Sequence, residues 1–92
     1  MKLNKLNKHI ANLGKLFPSA MLRTTMDFYG TNEKDGGLWT SFGEDGTVDY
    51  YGYDNSGYGM YIEPKLLKYL KKNGLYLEPY DSGTIMIFSD DD

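Results

Sequence analysis

The sequence predicts an α+β fold: an antiparallel sheet of about five or six strands with two helices on one face, in the order α-β-β-β-(β)-α-β-β. Three observations carry this. Apolar residues open the chain at helical spacing, a period of two takes over after Pro18, and a second helical stretch starts at Pro64 and gives way to another hairpin pattern. Strands do not alternate singly with helices, which argues against a doubly wound nucleotide-binding fold.

In the first element Leu3, Leu6, Ile10, Leu13 and Phe17 recur at spacings of 3, 4, 3 and 4, drawing one apolar stripe on a helix. Lysines and asparagines cover its other sides. Pro18 disfavours helical geometry at Phe17 and ends it. Ala20, Leu22, Thr24, Met26 and Phe28 then alternate with polar or bulkier residues, as a strand with that set on the core. After a polar connection over 30–37, segments 38–42 and 47–53 read as a hairpin around Glu44-Asp45-Gly46, since Asp-Gly supplies the positive φ of tight turns. Asp54-Asn55-Ser56-Gly57 is a second turn, and 58–63 a short strand. Pro64 opens a second helix at the position where its missing N–H costs nothing; Leu66, Leu67 and Leu70 form its apolar side, and Asn73-Gly74 closes it. A last hairpin joins 75–80 to 84–88 through Asp81-Ser82-Gly83. Ile85, Met86, Ile87 and Phe88 are apolar on both faces, which predicts a central strand.

The 92 residues suit one domain spanning 1–92, with Asp90, Asp91 and Asp92 as a frayed acidic tail. With no Cys there are no disulfides, thiol nucleophiles or cysteine-zinc sites. No apolar run approaches the roughly 20 residues of a membrane span, and lysines interrupt the first stretch too often for a secretory signal. A cytoplasmic location without membrane contact is the expectation. The net charge is −3, but the signs are segregated: five cations and no acid over 1–26, eight acids against Lys34 over 27–63, four lysines and no acid over 64–74, five acids and no base over 75–92.

Catalytic signals are weak. His9 is the only imidazole, lies among Lys5 and Lys8 with no acid in its segment, and reads as a solvated helix residue. No Ser sits in a G-x-S-x-G elbow. Gly57 and Gly59 lack the third glycine and following helix of a phosphate loop. A calcium loop starting at Asp54 would need an oxygen where Tyr58 stands and a Glu where Lys65 stands, leaving at most weak calcium binding. The reading is therefore a non-enzyme, with no catalytic residue, metal or cofactor.

The strongest anomaly is the tract from Asp49 to Tyr61, with five Tyr in thirteen residues among Gly, Asn, Ser and Asp. A strand buries only alternate side chains, so part of this set must face water. Rigid aromatics with adaptable small polar residues are the composition of binding loops. Being interleaved with Asp rather than Lys or Arg, they suit a basic protein surface better than single-stranded nucleic acid. The expected contact set is Trp39, Tyr51, Tyr53 and Tyr58 with Glu44, Asp45, Asp49 and Asp54, near further acids at Asp27, Glu33 and Asp35. A small acidic cysteine-free chain without enzyme motifs resembles, in kind, phage and mobile-element inhibitors such as anti-CRISPR proteins. That resemblance implies an inhibitor-like domain acting by occlusion. An alternative is a nucleic-acid-binding module using Lys5, Lys8, Lys15, Lys68, Lys71 and Lys72. Another is a structural or assembly subunit that forms oligomers of itself.

Overall fold

A computed structural model describes residues 1–25 and 36–89. Helix α1 spans Leu3–Leu16, and strands β1 (Leu22–Thr24), β2 (Leu38–Thr40), β3 (Val48–Asp49) and β4 (Tyr61–Ile62) follow. Helix α2 (Pro64–Lys72) and strands β5 (Leu75–Pro79) and β6 (Ile85–Ser89) complete the order, which is the one expected. The six strands divide between two antiparallel sheets: four in the order β1-β2-β6-β5, and a separate ribbon of β3 with β4.

Register explains the core. Leu22 pairs with Thr40, Thr24 with Leu38, Leu38 with Ile87, Thr40 with Ile85, and Leu77 with Ile87. Directly paired residues share a face, so these side chains form one side of the sheet. Leu6 and Leu13 of α1 and Leu66 and Leu70 of α2 join them in the buried cluster, placing both helices on that side. Thr40 is tolerated there because its hydroxyl donates to the Ile85 carbonyl at 2.7 Å. The opposite face carries Arg23, Trp39, Met86, Glu78, Tyr76 and Phe88, with the last two rings 5.9 Å apart. β6 is central, as its apolar character on both faces predicts.

Several local expectations hold for their stated reasons. α2 begins with Pro64 at its first position; the Glu63 carboxylate caps it, accepting from Lys65 N at 2.7 Å and Leu66 N at 3.3 Å. Gly74 after its end has φ +64°, the left-handed value that favours glycine there. The N-terminal ammonium donates to the Gly36 carbonyl at 2.8 Å and the Met1 side chain is buried in the core.

Other expectations need correction. β2 does not form a hairpin with the segment after Gly46. It pairs with β1 and β6, while β3 pairs with β4. Phe42 anchors this change of direction: fully buried, its ring lies 5.2 Å from Phe17. The strand expected over 47–53 ends at Asp49. The first strand spans only Leu22–Thr24; Met26 and Phe28, assigned to its core set, lie outside the described residues, as do Asp90, Asp91 and Asp92. His9 is not a solvated helix residue. Only 5 % of it is exposed, and it lies between Leu6 and Leu13 on the buried side of α1.

Candidate functional site

The connection from β3 to β4 carries the tyrosine tract, and its residues are ordered by side chains rather than by a sheet. At its start Asp49 Oδ1 accepts the Tyr51 N–H at 3.0 Å, and the Gly52 N–H donates to the Asp49 carbonyl at 3.1 Å. Gly52 is packed so tightly that a Cβ there would lie 2.8 Å from the Tyr61 Cβ. At the turn, Asp54 Oδ1 accepts the Ser56 and Gly57 N–H groups, each at 2.8 Å. Those two bonds, Ser56 first, hold the Asp54 carboxyl below its ordinary 3.8, because they stabilise the ionised form. The Ser56 hydroxyl donates to the Met60 carbonyl at 2.9 Å and accepts the Tyr58 N–H at 3.1 Å. Gly57 and Gly59 take φ values of +84° and +82°, which let the chain turn back.

Asn55 fastens this loop to the protein. Its Nδ2 donates to the Ile62 carbonyl and its Oδ1 accepts the Ile62 N–H, both at 2.9 Å. The side chain so takes the place of a neighbouring strand beside β4, and Ile62 itself is fully buried in the core.

With the polar groups occupied in holding the loop, the phenol rings are left to solvent. Tyr51 is 87 % exposed, Tyr53 81 %, Tyr50 45 % and Tyr58 39 %. The Tyr50 and Tyr51 rings lie 5.5 Å apart at 47°. The expected alternation along this tract therefore fails in a specific way. Tyr50, Tyr51 and Tyr53 are all exposed, because 50–60 is a hydrogen-bonded loop and not a strand.

The other expected contact residues fall into separate groups. Glu44 and Asp45 sit in the turn after Phe42, where the Glu44 N–H donates to the Gly83 carbonyl at 2.9 Å. They line a shallow cleft of about 400 Å³ with Ser19, Met21 and Ser41. Trp39 is on the sheet face away from the helices, opposite Arg23 and Met86. Asp27, Glu33 and Asp35 lie outside the described residues. The geometry thus gathers Asp49, Tyr51, Tyr53, Asp54 and Tyr58 on one loop. Asp45, Asp49 and Asp54 also share a structural task, since each accepts the backbone N–H two residues on. Sequence reasoning missed Asn55. The Asx-turn composition around it is visible, but its bond to a strand seven residues away is not.

The lysines of the alternative interface, Lys5, Lys8 and Lys15 on α1 and Lys68, Lys71 and Lys72 on α2, are all exposed. The two helices are bridged by polar side chains. His9 Nδ1 lies 2.6 Å from Tyr69 Oη, and Asn12 Nδ2 donates to the same oxygen at 3.3 Å. Among the described residues no three His, Asp or Glu are grouped to hold a metal ion, and no helix is long and apolar enough to cross a membrane. Comparison with protein-family models, curated proteins and solved structures finds no match.

Proposed function

We propose that this chain is a non-catalytic protein-binding domain that occludes a basic surface of its partner, in the manner of an inhibitor. The observation that carries this reading is the exposure of Tyr51 and Tyr53 on a loop whose own polar groups are already bonded. Burying two free aromatic rings rewards a partner, and a loop ordered beforehand loses little entropy on docking. Asp49 and Asp54 flank the rings and supply negative potential that speeds encounter with cationic surfaces.

The test is capture of partners on the wild-type chain, beside two variants. One replaces Tyr51, Tyr53 and Tyr58 with Ala. The other carries Asp49→Asn and Asp54→Asn, which keep the oxygen that accepts the loop N–H groups and remove only charge. The reading expects a basic partner retained by wild type, lost by the first variant and weakened by the second, more so at low salt. Retention of every partner by both variants overturns it.

A second reading, nucleic-acid binding by α1 and α2, is favoured by the bridge that sets their exposed lysines on adjoining helices. It expects affinity for RNA or DNA that falls steeply as salt rises. No binding at low salt removes it.

A further inference from the structure

We propose that His9 and Tyr69 form an acid-sensitive clasp: the neutral imidazole holds α1 against α2, and protonation of His9 loosens α1.

The clasp assigns the protons. Tyr69 Oη accepts from Asn12 Nδ2 at 3.3 Å and lies 2.6 Å from His9 Nδ1. In the clasp the phenol gives its one proton to His9 Nδ1, and the imidazole is neutral with its own proton on Nε2. The rings meet edge to face, with centroids 5.7 Å apart at 89°. A second proton on the imidazole, at Nδ1, makes both neighbours of the phenol oxygen donors and leaves the Tyr69 proton without its acceptor.

Among the described residues, nothing around the pair compensates the charge so created. Lys8 and Lys5, on the same helix, repel it. From α2 it meets the Tyr69 phenol, whose ionisation burial pushes up, so that it stays neutral. β1, which also packs against α1, puts Leu22 and Thr24 on the helix side of the sheet and its one ionisable residue, Arg23, on the other. Desolvation first, then Lys8 and Lys5, accordingly lower the His9 pKa from its ordinary 6.5. The unfolded or released helix then binds the proton more tightly than the clasped one. Stability is complete above pH 6.5 and declines from there down to the lowered folded value, by up to about tenfold in the equilibrium constant per pH unit. Asp54 acts from 3.8 downward, whereas the decline due to His9 begins at 6.5. The ladders of β6 with β2 and β5 do not include His9, which makes loosening of α1 a local event.

The test is amide-exchange protection of the intact chain at pH 7.5 and 5.5, corrected for intrinsic exchange. Protection in Leu6–Leu13 should fall at pH 5.5, by at most about tenfold, while protection in β6 holds. His9→Gln, which does not titrate, should abolish the pH effect. A uniform fall in α1 and β6, no fall, or the same fall in His9→Gln overturns the proposal. Should that variant not fold, the wild-type imidazole titration by NMR decides. A midpoint below 6.5 supports the clasp, and one at 6.5 or above refutes it.

Discussion

Replacing Asn55 with Ala removes the fastening of the tyrosine loop without touching a tyrosine. Two hydrogen bonds of 2.9 Å to the Ile62 backbone disappear, and the Ile62 N–H and carbonyl lose those partners. At a net ~0.5–1.5 kcal/mol each, the loss comes to about 1–3 kcal/mol. The β3–β4 ribbon pairs only two residues on each strand, too few to hold the loop by itself. For a domain of this size a loss of ~2 kcal/mol lowers the melting temperature by roughly 8–16 °C. Urea denaturation followed by Trp39 fluorescence measures the first quantity. Exchange of the amides over 50–60 measures the second effect, loosening of the loop, which should exceed that in β6. A loss below ~0.5 kcal/mol with unchanged loop exchange refutes the idea that Asn55 orders the binding surface.

Tyr51→Ala and Tyr53→Ala should each cost less than ~0.5 kcal/mol in the same denaturation assay, because less than a fifth of either side chain is covered, whereas Phe42→Ala should cost ~3–5 kcal/mol. A tyrosine loss above ~1.5 kcal/mol means that the ring is core. The amide shifts of Ser56 and Gly57 should titrate below pH 3.8, since the folded Asp54 pKa is lowered; the turn's contribution is present above that value and lost as pH falls through the folded one. A midpoint at or above 3.8 contradicts the turn geometry. Glu63→Ala should cost ~0.5–2 kcal/mol by uncapping α2, with Glu63→Gln recovering most of it; equal losses in both would assign the effect to charge rather than to the cap.

Elements whose ends are set by local chemistry were legible in the sequence. Pro64 and Gly74 bound α2 because a missing N–H and a left-handed φ act at single positions. The central place of β6 followed from apolar residues on both faces. Pairing was less legible. Asp45-Gly46 announces a turn but not which strand the chain meets after it. Val48 finds its partner in Ile62, fourteen residues on, because both are buried beside the helices.

His9 shows how a polar residue hides in an apolar stripe. Leu6, His9 and Leu13 are spaced by 3 and 4, as a buried helix face requires, and all three are buried while Leu3 is 40 % exposed. Composition favoured the solvated reading; only the partner on α2, sixty residues away, makes burial tolerable. For the candidate surface, the sequence disclosed that some tyrosines must be exposed. It did not disclose that the acids beside them are first of all turn-builders, because each bond depends on the turn that its own chain adopts.

Laser-induced nuclear polarisation of tyrosine rings by a dissolved flavin dye, which marks only rings the dye can touch, tests the exposed loop most directly. Strong signals from Tyr51 and Tyr53, with a weaker one from the partly buried Tyr69 in the folded chain at neutral pH, are the expected result. Silent Tyr51 and Tyr53 rings in the folded protein would contradict a surface offered to a partner.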